Sequence, residues 1–558
     1  MVFQNKDRRA IRIIAGCGWL CQRDRGKLIV GCPCLSNKER VTFRLLIFLA
    51  AANVFAAPFD LVLSNGLIVD GSGRKAYRGG VGIQEGRIVA VGDVAGESRK
   101  VVDVNGAVIA PGFIDVHTHA ENIEHHPAAK AFLAMGVTTL VLGNCGSSQL
   151  NLAEFFGRLG QKGFSPNVAS LIGHGTVRRQ VMGGSFLRPP TTKEMSAMSA
   201  LVAQAMKDGS LGMSTGLIYL PGTYAKTEEL VALAKVVSMH GGIYVSHMRS
   251  EGKEIFKAVD EVGLIGREAG LPVHISHLKL GGKPMWGKHK ELLNRLNGMR
   301  AAGLLLTHDQ YAYTASSTGI QQLIPSEARR AGRGEFSKLL NHPGKKSALV
   351  EQMKERIHNK GRDSYDYAVI ADFRHEPGLN GLNIVQAAQR KYGKNSLEQQ
   401  IELIFWIEKN GGGSGVFHGM HEDDARAFMR NPHTMFASDS SVRVFKNGVP
   451  HPRGYGNAAR ILARYVREQN VLTLEDAVRR MTSLPAQTFK LANRGILKKG
   501  SWADVVVFDP REVQDHSTFS KPHQYSTGFQ LVLVNGQIVV EKDRHNGAGP
   551  GQIIRRER

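Results

Sequence analysis

Cysteine is nearly absent from this chain. Of five in 558 residues, four (Cys17, Cys21, Cys32, Cys34) fall in the first 34 positions, and only Cys145 lies beyond them. That distribution excludes a disulfide-stapled scaffold. The early Cys17-x3-Cys21 and Cys32-Pro-Cys34 lack the histidines and the core that a zinc knot needs. Aromatic residues are also scarce, at 7%. No internal repeat, heptad run or long low-complexity tract is present, which rules out solenoid, coiled-coil and disordered architectures. Acidic residues are outnumbered, 49 against 72 basic, for a net charge of +23. The basic residues are scattered, without an aromatic-interleaved patch or nucleic-acid motif. The surplus therefore reads as a solvated basic surface, with no nucleic-acid partner and a slight bias toward anionic substrates.

Long hydrophobic runs are missing too. The apolar stretch at 45–57, broken by Asn53, is shorter than the roughly 20 residues of a spanning helix. One basic residue precedes it and small residues end it, which is the grammar of a secretory signal peptide over 41–57. Cleavage after Ala56 or Ala57 starts the mature chain at its first strand. A signal peptide belongs at an N-terminus, so residues 1–40 are expected to be a non-native leader, with translation starting at Val41. The alternative is a genuine cytosolic extension and a cytoplasmic protein. The expectation is a secreted or periplasmic protein with no membrane span in the mature chain.

Hydrophobic content of 42% and charged content of 22% are globular values, and the length exceeds one ordinary domain. Residues 58–110 and 495–545 both carry short β-like runs separated by Gly, which predicts one small β-domain, a sandwich, built from the two ends. Between them lie eight strand candidates: Phe113–His117, Thr139–Asn144, Asn167–Gly173, Leu211–Gly216, Ile243–His247, Val273–His277, Leu304–Asp309 and Thr434–Asp439. Helical stretches such as Thr191–Lys207 and Glu254–Ala269 separate most of them. Eight alternating units predict an α/β fold, a (β/α)8 TIM barrel over 111–494, whose active site lies at the C-terminal strand ends. The interval after Asp309 is too long for one unit, so an inserted α/β subdomain is expected at about 325–415.

Metal-ligand residue types stand at those strand ends: His117 and His119, Cys145, His247, His277 and Asp439. Spacing of two places His117 and His119 on one face. Zinc accepts such a mixture of S, N and O ligands. Cys145 also fits a small buried hydrophobe, but its polar, Gly-flanked strand end favours ligation. Asp439 reads either as a ligand or as a general base and acid beside the metal. Lys279 and Arg453 suit a substrate carboxylate, or plain surface charge.

The motifs Pro-Gly-Phe-Ile-Asp-Val-His-Thr-His (111–119), Gly-Asn-Cys-Gly (143–146), Gly-His-Gly-Thr-Val-Arg (173–178), His-Met-Arg-Ser-Glu (247–251), Ile-Ser-His-Leu-Lys (275–279), Ala-Ser-Asp (437–439) and His-Pro-Arg (451–453) resemble the N-acyl-D-amino-acid deacylases (D-aminoacylases) of the amidohydrolase superfamily. The resemblance runs from about 59 to 541. It implies zinc-dependent hydrolysis of N-acyl-D-amino acids to a carboxylate and a D-amino acid. It implies one tight zinc on Cys145, His247 and His277, and a second, weaker position lined by His117, His119 and Asp439, with Asp439 as catalytic acid and base. It implies substrate contacts from Tyr219, Lys279, Ser316 and Arg453. His421 departs from the family pattern and is expected outside the metal shell, while His174 is left without a role. The rival readings are an amidohydrolase acting on another linear amide, a dipeptide or a cyclic amide, and a non-catalytic binding protein on the same fold.

Overall fold

The computed structural model describes residues 59–556 and, before them, three short strands within residues 10–31 that pair antiparallel. The signal-peptide segment 41–57 lies outside the described residues, as do Cys17, Cys32 and Cys34. The first unit ends at Pro58 and the second runs from Phe59.

Both ends of the second unit build one β-domain. Leu61–Ile68, Tyr77–Gln84, Arg87–Gly92, Val101–Asp103 and Val108–Pro111 come from the N-terminal side. Val505–Phe508, Phe529–Val534, Gln537–Glu541 and Arg544–His545 come from the C-terminal side. They join where Val505–Phe508 runs antiparallel to Val108–Pro111. Two of its hairpins turn through Glu85-Gly86 and Asn535-Gly536, where both residues have positive φ, as a type I′ turn demands. Leu63, Val81, Ile83 and Ile109 from one side bury against Val505, Val507 and Leu533 from the other. This mutual burial is what holds termini some 400 residues apart in sequence together.

Eight parallel strands follow in barrel order: Phe113–Asp115, Val137–Leu142, Asn167–Gly173 with a break at Leu171, Gly212–Gly216, Ile243–His247, Val273–Ile275, Leu306–Gln310 and Thr434–Phe436. Parallel pairing runs through each neighbour. The ring closes where Asp439 N–H donates to His117 O at 2.8 Å and His119 N–H donates to Ser440 O at 2.9 Å. Strands covered on both faces are rich in apolar residues, and Val137–Leu142 is buried throughout. Ile114, Val141, Leu171, Val245 and Met435 fill the interior.

The helices are set by local signals. Thr192–Lys207 starts with a Thr191/Glu194 capping box. Ile255–Ala269 ends on left-handed Gly270 and buries Val259, Val262 and Ile265. Among the described residues no helix is long and apolar enough to cross a membrane.

After the seventh strand the chain leaves the barrel. Ser316–Gly319, Ala368–Asp372 and Ser414–Phe417 form an antiparallel sheet. Helices Pro343–His358, Ile384–Tyr392 and Leu397–Lys409 pack on it around Phe336, Met353, Ile370, Ile404 and Phe405. This subdomain has its own core, and its first strand begins at the barrel mouth.

Candidate metal centre and substrate pocket

Three residues at strand ends break the usual backbone rule together. Cys145 (φ 53°), His277 (φ 36°) and Asp439 (φ 50°) are all left-handed. Non-glycine residues rarely adopt this conformation, and it persists only where surrounding structure enforces it. The enforcement is visible around Cys145. A Cβ on Gly143 would sit 2.1 Å from Leu171 O, and one on Gly146 would sit 2.7 Å from Gly216 N. The turn is thus pressed against the third and fourth strands, and it swings Cys145 inward instead of along its strand.

The inward side chains converge. Cys145 Sγ lies 3.3 Å from His117 Nε2, 3.5 Å from His247 Nδ1 and 3.8 Å from His277 Nε2. Nδ1 of His247 and Nε2 of His277 are 2.7 Å apart. Asp439 Oδ1 is 3.5 Å from His117 Nε2 and 3.2 Å from His119 Nε2. All six expected ligands therefore meet, and their donor atoms fall into overlapping groups about His117 and His277. The left-handed turn ends the sixth strand at Ile275, so Lys279 lies in the following loop, yet its ammonium comes within 2.8 Å of His277 Nδ1.

Carboxylates that the strand pattern did not single out hold these rings. Asp309, at the end of strand seven, has Oδ2 at 3.2 Å from His117 Nδ1 and 2.9 Å from His274 Nε2, and its Oδ1 accepts from His277 N–H at 2.9 Å. Glu251 Oε1 lies 2.8 Å from His277 Nδ1, on the side of the ring away from Cys145, and also accepts from Lys279 Nζ. Carboxylates behind ligating imidazoles fix tautomer and orientation. Glu251 sits four residues past His247 in the His-Met-Arg-Ser-Glu motif, a spacing that was available as a signal. Asp309 offered only its strand-end position.

The electrostatics follow from this crowding. Burial alone would raise the Asp439 carboxyl, but the Arg453 guanidinium, 2.9 Å away, and His117 pull it well below the usual carboxylate range. Burial would also raise the Cys145 thiol, and the charges of His117 and His247 outweigh it and favour the thiolate. Burial disfavours a charged His119 ring, yet Asp439 and Cys145 hold its proton up to about 10. Asp309, Cys145 and Asp439 raise His117 likewise.

This donor set fits a zinc-type cation. Bonds of ~2.0–2.3 Å in a tetrahedral arrangement imply donor–donor edges of roughly 3.3–3.8 Å, the range found between Cys145 Sγ and the three imidazoles. The 2.7 Å between His247 Nδ1 and His277 Nε2 is shorter, and those two rings would have to part for both to hold one ion. Thiolate, imidazole and carboxylate are the donors zinc takes. The anionic groups that keep protons on His117 and His119 would be balanced equally well by a divalent ion.

A cavity of about 410 Å³ opens onto the cluster, lined by His119, Cys145, Tyr219, Thr318, Asp439 and Arg453 among others. Tyr219 stacks edge-on against His247, with centroids 4.9 Å apart, and its hydroxyl lies 3.1 Å from Thr318 Oγ1. Arg453 is buried and lies over the Tyr311 ring at 4.6 Å. A second cavity of about 430 Å³, beneath the inserted subdomain, contains Glu251, Lys279 and Ser316. Ser316 thus reaches a neighbouring cavity, while Ser317 and Thr318 face the metal-side one.

The remaining histidines are elsewhere. His421 caps the helix Glu422–Arg430, accepting from Asp423 N–H at 3.3 Å. His174 is buried, with Nε2 at 2.8 Å from Glu229, which also pairs with Arg178. That buried cluster gives His174 a structural role.

A barrel whose strand ends gather Cys, His and Asp about one point defines a metal-dependent hydrolase of the amidohydrolase type, and residues 344–540 match the amidohydrolase family directly. The chain is 33% identical to a D-aminoacylase of Alcaligenes xylosoxydans xylosoxydans, over 89% of its own length and 98% of the relative's. It is 34% identical to an N-acyl-D-glutamate deacylase of the same organism, over 89% and 97%. The crystal structure of N-acyl-D-glutamate deacylase from Bordetella bronchiseptica, complexed with zinc and a phosphonate mimic of the tetrahedral intermediate, superposes with a TM-score of 0.77 at 32% identity, covering 89% of this chain and all of that one. The chain belongs to the N-acyl-D-amino-acid deacylases. Relatives named for different substrates match it almost equally, so overall similarity does not select the side chain.

Proposed function

We propose that this protein hydrolyses the amide bond of N-acyl-D-amino acids, releasing a carboxylate and a D-amino acid, with zinc held by Cys145, His247 and His277 and a second, weaker position at His117, His119 and Asp439. The observation that carries this reading is the placement of Asp439, 3.5 and 3.2 Å from His117 and His119 of the Cys/His cluster, in the lining of a cavity that also holds Arg179, Arg443 and Arg453.

When bound, zinc polarises an amide carbonyl and makes water acidic near neutral pH. The chain's residues do the rest. Asp439, already ionised, takes a proton from the attacking water as its oxygen bonds to the carbonyl carbon. Asp439 then gives that proton to the amide nitrogen as the C–N bond breaks, so that a neutral amine departs. His119, 3.2 Å from Asp439 Oδ1, holds the carboxylate in line. Arg453 is placed to grip the substrate's α-carboxylate, and its flat guanidinium suits bidentate binding. Lys279 steadies the Glu251–His277 pair and adds positive charge from the adjoining cavity. Tyr219 forms the wall against His247.

Export is part of the same proposal, supported by the signal-peptide grammar of residues 41–57. N-terminal mass analysis of protein from its native host tests it, and a mature chain retaining residues 41–57 would overturn it. The activity is tested by incubating zinc-loaded protein with paired N-acetyl-D- and N-acetyl-L-amino acids. Release of D-amino acids alone is expected. Release from the L-series, or only from a dipeptide or cyclic amide, would overturn it.

A further inference from the structure

The substrate cavity carries more positive charge than one α-carboxylate needs. Arg179, Arg443 and Arg453 line it, against the single carboxylate of Asp439. Arg453 neutralises Asp439 at 2.9 Å. Arg179 stands at the rim, donating to Leu220 O. Arg443 is left over. Its Nε donates to Ser440 Oγ at 2.9 Å, and among the described residues no carboxylate forms an ion pair with it.

Arg443 is nevertheless built into the wall. A Cβ on Gly454 would lie 2.6 Å from Arg443 Nε and 2.5 Å from Ser440 Oγ. Only a glycine beside Arg453 lets the Arg443 chain cross the backbone there. The two guanidiniums are consequently neighbours, close enough to repel each other, and Arg443 is half-buried. Asp439 already offsets the charge of Arg453, so Arg443 is the cation beside it that an incoming anion would relieve.

We propose that Arg443 selects the amino-acid side chain, binding a second substrate carboxylate beside the α-carboxylate held by Arg453. The preferred substrates are then N-acyl derivatives of acidic D-amino acids, whose two carboxylates are separated by one or two methylene groups. The inference rests on the deacylase reading and names the substrate class within it. Arg443 lies between the Ala-Ser-Asp and His-Pro-Arg motifs, four residues past Asp439, in a segment no motif covers.

The test measures kcat/KM for N-acetyl-D-glutamate, N-acetyl-D-aspartate, N-acetyl-D-leucine and N-acetyl-D-methionine with the parent protein, Arg443→Met and Arg443→Lys. Zinc content and circular dichroism confirm that each variant is folded. The parent is expected to prefer the acidic pair. In Arg443→Met the acidic-to-apolar ratio should fall about 10–100-fold, the worth of a charge-assisted contact, through KM more than kcat. Arg443→Lys should recover part of it. Equal losses on all four substrates in Arg443→Met, or a parent that prefers leucine and methionine, would overturn the assignment while leaving the deacylase reading intact. A parent that hydrolyses none of the four overturns both.

Discussion

Arg453 and Asp439 form a buried ion pair, 2.9 Å from guanidinium to carboxylate, at the mouth of the barrel. The arginine favours the ionised Asp439 carboxylate without occupying the oxygen, Oδ1, that faces His117 and His119. Asp439→Asn should therefore lower kcat by about 10²–10⁴, the range for loss of a general acid–base group. The tight zinc on Cys145, His247 and His277 should stay bound. Steady-state kinetics with metal analysis of the same preparation check this, and retained turnover would remove Asp439 from the mechanism.

Removing the other partner gives a pH signature. Arg453 favours the ionised form of Asp439, so Arg453→Met should raise that carboxyl's pKa. The base form would then be lost at a higher pH, and the acid limb of the kcat/KM profile should move upward. KM should rise as well, because the α-carboxylate loses its cation. An unshifted acid limb with a raised KM would confine Arg453 to binding.

Cys145 gives the sharpest test of the metal assignment. Its thiolate is the one anionic donor in the trio with His247 and His277. Cys145→Ala should therefore deplete zinc and activity together. Metal analysis after dialysis decides it, since full zinc content in the variant would break the assignment.

The barrel was legible because strands buried on both faces leave largely apolar runs, such as Val137–Leu142, that no turn interrupts, although Gly212–Gly216 and Leu306–Gln310 also bury polar side chains. The side chains that converge at the strand ends were legible for a related reason. Polar residues ending an apolar strand, such as His247 after Ile-Tyr-Val-Ser, have no packing explanation. Strand ends were less visible. Left-handed turns at His277 and Asp439 stop the sixth and eighth strands at Ile275 and Phe436, and nothing in a histidine or an aspartate announces positive φ. Supporting residues were least visible of all. Asp309 and Glu251 contact His117 and His277, 192 and 26 residues away, a pairing that exists only after the ring has closed.

Glu251 should matter to affinity more than to chemistry. It holds His277 through Nδ1 and is itself held by Lys279. Glu251→Gln keeps the shape, but it weakens the acceptor that fixes the ring. Zinc affinity should fall about 10–100-fold, as for other partners behind metal ligands. Competition with a chromophoric chelator measures it. With saturating zinc, kcat should recover much of its parent value, whereas an unrecovered kcat would place Glu251 in the reaction itself.

Asp115 ties stability to pH beneath the same site. Buried at the end of the first strand, it accepts from Ser438 N–H at 3.1 Å and from His117 N–H at 3.2 Å, joining the first and last strands. Burial outweighs those hydrogen bonds and pushes its carboxyl up to about 7. Between about 4 and 7 the folded chain therefore keeps a proton that the unfolded chain has lost. Its contribution is full at low pH and disappears as pH rises through 7. A shift of this size corresponds to a few kcal/mol at most, at about 1.4 kcal/mol per pH unit. Asp115→Asn cannot titrate. The difference in Tm, parent minus variant, should accordingly fall by a few degrees between pH 4.5 and 7.5. Thermal melts of both proteins across that range check it, and parallel curves would show that Asp115 is already ionised in the folded state, its charge carried by the strand-junction amides.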